Sequence, residues 1–137
     1  MALEKTITSE NGIVMNYHVI DHFETSTTIN IYVKSYADQS YRQQEKEIEE
    51  NYKLANSIRS QISEEMAKEG TDAYNKELIQ QLTAQANELG FPVLVDLSIL
   101  TRKFEYPLDK STEFSYKTFY TWLKTEEIFK DAIDVSD

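Results

Sequence analysis

The chain of 137 residues contains no cysteine, only three glycines and two prolines, and far fewer cations than anions, with 14 Lys and Arg against 24 Asp and Glu. The missing cysteine excludes a disulfide framework, thiolate metal sites and cysteine nucleophiles together. A formal net charge of −10 excludes a simple electrostatic nucleic-acid binder, because phosphate binding depends on Lys and Arg displacing counterions. It disfavours an anionic membrane face for the same reason. No stretch approaches the roughly 20 apolar residues of a membrane-spanning helix, and residues 1–8 lack the apolar core of a signal peptide. The glycines stand alone at positions 12, 70 and 90, so no Gly-rich phosphate loop, G-x-S-x-G elbow or EF-hand loop is present. The expectation is a folded protein, soluble and intracellular at synthesis, with no cofactor, no metal, and neither nucleic acid nor membrane as partner.

What is present is enough apolar material for a core. Hydrophobic residues make up 40% of the chain and aromatics 12%, too much for a disordered segment, and the length suits one domain with an elaboration. Residues 2–36 read as strands. Asn11-Gly12 suits a type I′ hairpin turn between residues 6–8 and 13–20. In the second of these strands Ile13, Met15, Tyr17 and Val19 share one face, while Val14, Asn16, His18 and Ile20 share the other, so neither face is purely polar. Residues 27–36 alternate, with Ile29, Ile31 and Val33 opposite Thr28, Asn30, Tyr32 and Lys34, the pattern of a half-buried strand.

At residues 38–40 the period changes from strand to helix. Ser40 and Gln43 fit a capping box. Beyond them Ile48, Tyr52, Ala55, Ile58, Ile62 and Met66 recur at steps of three or four residues, and Gly70 supplies a left-handed end. Thr71 or Asp72 then caps a second helix with Tyr74, Leu78, Leu82, Ala86 and Leu89 on one stripe, ended by Gly90 and Pro92. The two stripes predict an antiparallel helical hairpin over residues 41–69 and 72–89. Each stripe is narrow, as in a coiled coil, which makes Ile48, Tyr52, Ile58, Ile62, Met66, Leu78, Leu82 and Leu89 the candidate interaction residues. Strand chemistry returns over residues 92–100, where Val93, Val95, Leu97 and Ile99 share a face, with a second strand or turn over 101–106. Ser111 or Thr112 then caps a short aromatic helix over residues 114–124. The fold class expected is α+β: a single domain over residues 1–137, with an antiparallel sheet built from both ends of the chain (1–38 and 91–137), a helical hairpin inserted at 39–90, and a short C-terminal helix.

Few residues suggest chemistry. His18 and His22 are the only histidines, and on a strand they stand about 13 Å apart, too far for a shared zinc. Asp96 is a lone carboxylate between the strand apolars Val95 and Leu97, where burial would raise its pKa, and alternation directs it to solvent. Tyr106, Phe114, Tyr116, Phe119, Tyr120 and Trp122 cluster near the end of the chain. They fit a stacking platform for sugars or bases less well than a small core and an oligomer interface, since they recur at helical spacing. No catalytic constellation emerges, and the expectation is a protein that is not an enzyme.

Two segments carry a resemblance. Residues 3–8 with 11–20 (N-G-I-V-M-N-Y-H-V-I), followed by the Thr/Ile-rich strand ending at Ser35-Tyr36, and the closing residues 119–125 (F-Y-T-W-L-K-T) with 129–135 (F-K-D-A-I-D-V), resemble small tail-associated proteins of bacteriophages of Gram-positive bacteria. Together these cover roughly 60 of the 137 residues; the central hairpin departs from shorter members of the group. The resemblance implies a minor tail or baseplate protein of the virion, made in the host cytoplasm, with other copies of itself and neighbouring tail subunits as partners. It carries over no catalytic residue. A second class, an acidic inhibitor that mimics DNA and occupies a host protein, is motivated by the net charge. It is opposed by the distribution of that charge, −3, −4 and −3 over residues 1–40, 41–90 and 91–137, because a mimic needs one dense stripe.

Overall fold

A computed structural model of the chain describes residues 1–108 and 114–137. The protein is α+β and divides into two compact units, Met1–Arg42 with Leu97–Asp137, and Gln43–Asp96. The first unit holds strands β1 (Ala2–Thr8), β2 (Val14–Thr25), β3 (Ile29–Tyr36), β4 (Leu100–Tyr106) and β5 (Ile133–Val135), in the spatial order β4-β3-β2-β1-β5. All four neighbouring pairs are antiparallel. Strands from the two ends of the chain therefore flank one another, as the sequence pattern requires. β4 sits on one edge, beside β3, and β5 on the other, beside β1.

The β1–β2 connection is not the type I′ turn that Asn11-Gly12 suggests. Gly12 has φ +80, but Asn11 stays at negative φ. The Gly12 amide donates to Ser9 O at 2.9 Å and the Ser9 amide to Ile13 O at 2.9 Å. This is a three-residue loop closed by a left-handed glycine, a conformation in which a side chain would be strained.

One face of the sheet carries the main core. Ile29, Ile31 and Val33 of β3 are fully buried there. β2 keeps Ile20 opposite Val33 and brings Phe23 opposite Ile31, because its pairing with β3 shifts between Ile20 and His22. A bulge of one residue moves the following side chains to the other face, which is how Ile20 and Phe23 reach the same core. Helix α3 (Tyr116–Leu123) and a 3₁₀ turn at Glu127–Phe129 supply the covering side chains Phe119, Tyr120, Leu123 and Phe129. Phe119 meets Phe23 and Tyr106 edge-on, with ring centroids 4.9 and 5.4 Å apart. The Tyr120 hydroxyl accepts the Ile20 amide at 2.7 Å, just beyond the point where β1 stops pairing with β2 at Leu3 and His18. An otherwise orphaned buried donor is thereby satisfied. Ser115 caps α3 by accepting the Thr118 amide at 3.1 Å; the caps expected at Ser111 or Thr112 lie outside the described residues. On the opposite face Ala2, Tyr17, Val19 and Tyr36 form a second small buried cluster.

Helix α1 (Gln39–Met66) and α2 (Lys76–Leu89) form the helical hairpin. Asp38 caps α1, taking the Ser40 amide at 2.8 Å and the Ser40 hydroxyl as well, so Ser40 donates to the cap instead of providing it. Those bonds hold the Asp38 carboxyl below the usual carboxylate range. α2 begins at Lys76, four residues later than expected at 72, because Asn75 and not Asp72 captures the first free amide, that of Leu78, at 3.0 Å. At 1.5 Å per residue α1 is about 42 Å long and α2 about 21 Å, so a large part of α1 has no α2 residue beside it. Ile58, Leu82 and Ala86 form a buried cluster flanked by Ile62, Leu78 and Leu89.

The second departure from the sequence reading concerns residues 92–100. Only β4, from Leu100, joins the sheet; the chain from Phe91 to Leu97 has no regular secondary structure. Register explains the difference. Ser35 lies opposite Leu100, the Ile99 amide donates to Ser35 O at 2.8 Å, and β3 ends one residue later, at Tyr36.

Leu82→Asp is expected to remove at least about 3 kcal/mol from the hairpin by burying an unpaired charge. Helical circular dichroism should fall sharply while the fluorescence of Trp122, the single tryptophan, stays unchanged. An unaltered melting curve would mean that this seam is not a buried one.

Candidate interaction surface

The eight interaction residues expected from the helical stripes separate into two groups. Ile58 and Leu82 are buried against each other, with Ile62, Leu78 and Leu89 half-buried around them. This part of the seam is consumed inside the hairpin. Ile48 is half-buried outside that cluster, and Tyr52 and Met66 are exposed. Leu54, beside Tyr52 in sequence, is exposed too.

The largest exposed apolar stretch is a segment that sequence reasoning had assigned to the sheet. In the return segment from α2 towards β4, Phe91 is 83% exposed, Val93 73%, Leu94 54% and Val95 41%. The local geometry at its start is well defined. Gly90 ends α2 at φ +65, its amide donating to Ala86 O at 3.0 Å. The Gly90 carbonyl accepts the Arg59 guanidinium, which also lies 4.0 Å from the centre of the Phe91 ring. A cation held over an aromatic face is attracted by the ring quadrupole. Arg59 therefore fixes where the segment leaves the helix and holds Phe91 while its ring stays exposed. Beyond it, Phe91, Val93, Leu94 and Val95 make no main-chain hydrogen bond among the described residues. Alternating β-branched residues with free amides form a strand without a ladder. The signal was present in sequence as strand periodicity, but periodicity does not say which strand is the partner.

The residues weighed for chemistry lie elsewhere. His18 and Ser35 are both fully buried, and the imidazole Nδ1 is 2.8 Å from the Ser35 hydroxyl while Nε2 is 2.8 Å from Lys5 O. A carbonyl only accepts, so Nε2 carries the proton and the serine hydroxyl donates to Nδ1. The pairing resembles a nucleophile with its base, yet both groups are sealed from solvent and their hydrogen-bonding capacity is spent. Burial pushes the His18 pKa down, with the Arg102 and Lys5 cations acting in the same direction and the Lys5 carbonyl against it. His22 lies across the bulge, stacked on Tyr32 at 4.4 Å and bonded to Asp21 at 2.7 Å. Burial disfavours ionisation of Asp21, but its bond to His22 and the Lys34 ammonium outweigh this and hold it below the usual range. Among the described residues no group of His, Asp and Glu converges as a metal site. Asp96 is exposed, as alternation implied.

The late aromatics divide between core and surface. Phe119 and Tyr120 are buried, and Phe114 and Tyr116 are about half exposed. Tyr106 and Trp122, packed edge-on at 5.1 Å, form one wall of a cleft of about 470 Å³ that also includes Ser115, Lys117, Thr118, Thr121 and Thr125. The Thr121 and Thr125 hydroxyls donate to backbone carbonyls of their own helical turns. A smaller cleft of about 330 Å³ holds Arg42, paired with Asp137 at 3.3 Å, beside Tyr120 and Asp21. Tyr17, buried on the sheet, donates to Asp137 at 3.0 Å; burial and that carboxylate raise the phenol pKa. Among the described residues neither cleft sets a nucleophile beside a base.

The chain matches no protein-family model, no curated protein and no solved structure. Among the described residues no helix is long and apolar enough to cross a membrane.

The buried neutral His18 makes stability depend on pH. Its pKa is lower folded than unfolded, so the unfolded chain binds more protons once pH falls below about 6.5. Stability is full above that pH and declines as pH falls through it, by up to about 1.4 kcal/mol per unit until the folded imidazole itself titrates. Urea titrations from pH 7 to 5 are expected to show this slope in the native chain and a flat profile in His18→Gln; equal slopes would remove His18 as the cause.

Proposed function

We propose that the chain is a non-enzymatic structural protein of a bacteriophage tail or baseplate, acting by self-association and by docking to neighbouring tail subunits. The observation that carries this reading is the exposed apolar return segment, 91–95, on a protein that is otherwise highly charged. Water-exposed Phe, Val and Leu in one run are unfavourable on a monomer and favourable at an interface. The exposed Tyr52, Leu54 and Met66 belong to the same inserted unit and add apolar surface to it.

The resemblance to tail-associated proteins falls on residues of the sheet unit, at both ends of the chain. The hairpin is what this chain adds to that pattern. In this reading the sheet unit is the common body, and residues 43–96 are the attachment that distinguishes this subunit from shorter ones. The even spread of net charge, −3, −4 and −3, suits a solubilising coat that keeps the subunits apart in the host cytoplasm until assembly. It is unlike the dense acidic stripe of a DNA mimic. Of the late aromatics Phe119 and Tyr120 are spent in the core, and the one nucleophile-like pair is enclosed, which agrees with a protein that works by binding.

The test is mass spectrometry of purified particles of the phage that encodes the chain. It should be present in the tail fraction, and a Val93→Asp, Leu94→Asp double variant, synthesised at normal levels, should be lost from particles. Finding the native chain only in the host soluble fraction, bound to a host protein, would contradict the proposal.

A further inference from the structure

We infer, resting on the self-association half of the proposed function, that the outer edge of β4 pairs antiparallel with the β4 edge of a second copy, about a two-fold axis at Phe104, so that two sheets become one.

An edge strand presents unpaired main-chain amides and carbonyls, which are a template for a further strand. The two edges of this sheet differ. On one side β5 has three residues and offers little to pair with. On the other side β4 has seven, and its ladder with β3 runs from Leu100 to Tyr106 without a shift of register. The strand contains neither proline nor glycine, and among the described residues it pairs with β3 alone. Soluble proteins blunt a long edge by shortening it, bulging it, placing proline in it or charging it with lysine. Only the last of these applies to β4, and Lys103 is offset by Glu105 two residues on.

Those two opposite charges select a register. Residues opposed across an antiparallel pair share a face, so a two-fold axis must pass between two copies of one residue. Lys103 and Glu105 lie on the face away from the main core, both are exposed, and neither has an ion pair among the described residues. An axis at Lys103 sets lysine against lysine, and one at Glu105 sets glutamate against glutamate; both are unfavourable. An axis at Arg102 opposes two guanidinium groups. With the axis at Phe104, Lys103 of each copy faces Glu105 of the other, which makes two opposed ion pairs from one contact. On the other face the same register sets Phe104 against Phe104 and Arg102 against Tyr106. The Arg102 Nη1 is buried without a hydrogen-bond partner among the described residues, and a tyrosine opposite brings it both a phenol oxygen and a ring face.

Charge also says why this strand suits a meeting of two copies that each carry −10. Residues 100–106 hold two cations, Arg102 and Lys103, against one anion, Glu105, so contact along β4 brings no acidic surface together. Isologous pairing uses both β4 edges and closes, leaving only the three-residue β5 edges outside.

Charge reversal tests the register with exposed residues whose replacement leaves the core intact. Sedimentation of the native chain at high micromolar concentration is expected to show a dimer. Lys103→Glu alone and Glu105→Lys alone should each weaken it by at least about tenfold, because like charges then oppose one another twice, with melting curves unchanged. Mixing these two variants should restore dimers, and the double exchange K103E/E105K should dimerise as the native chain does. Since the chain has no cysteine, cross-linking gives a second readout. Directly opposed residues have Cα atoms about 4.5–5.5 Å apart, within disulfide range, and diagonal neighbours are beyond it. Lys103→Cys and Glu105→Cys should therefore each stay monomeric under oxidation with copper phenanthroline and give a covalent dimer when mixed. A monomeric native chain, a dimer indifferent to both single reversals, or Lys103→Cys cross-linking alone as fully as in the mixture would overturn the inference. The tail assignment fails separately: a dimer joined through β4 but absent from virions removes that assignment and keeps the pairing, and a virion component that is monomeric and unreactive at 103 and 105 does the reverse.

Discussion

The ladder between β3 and β4 is the constraint on which the rest of the architecture depends. Seven rungs, from Ile29 and Tyr106 to Ser35 and Leu100, join strands separated by the whole helical hairpin. Closing so long a connection costs little more than closing a short one, because loop entropy grows only logarithmically with length. The sheet can therefore carry a large insertion, provided that the register of this ladder holds. The register is set by burial: Ile29, Ile31 and Val33 must face the same core as Phe104 and Tyr106, and a slip of one residue would put them in water. Once fixed, it determines the remainder. β4 sits at the edge, and Phe104 and Tyr106 receive Phe129, Phe119 and Trp122 from beyond the strand.

Most of the sheet was legible in the amino-acid sequence, and the reasons are particular. β3 was recognisable because strict alternation over Ile29, Ile31 and Val33 is an unambiguous period, and one face does prove to be fully buried. The helices were recognisable from stripes such as Ile58, Ile62 and Leu78, Leu82. Their ends were less so, since several residues competed as caps; Asp38 and Asn75 prevailed over Ser40 and Asp72 by capturing amides two and three residues ahead. The turn at Gly12 was misread because Asn-Gly fits two loop lengths and only the flanking hydrogen bonds distinguish them. The candidate surface was legible by half. The helical stripes were identified, but the buried half of them, Ile58 and Leu82, holds the hairpin together, and the most exposed apolar residues were mistaken for a strand of the sheet. Strand propensity is a local property, whereas pairing depends on the register of the whole sheet.

This displacement links structure to function. In a chain with so few glycines and prolines, Gly90 and Pro92 stand side by side with Phe91 and turn the chain out of α2 at a defined point. Arg59 then clamps the turn through the Gly90 carbonyl and the Phe91 ring. The segment thus leaves α2 from a fixed end. Residues 91–95 carry no charge, in a chain of net −10.

Hydrogen exchange of the main-chain amides at Val93, Leu94 and Val95, followed across a dilution series of the full chain, tests the central claim most directly. The account expects these amides to be protected at high concentration and to lose protection on dilution, while those of β3, Ile29–Tyr36, remain protected throughout because that strand is paired on both sides within the chain. Amides at 93–95 that exchange at the rate of an unstructured chain at every concentration would contradict it.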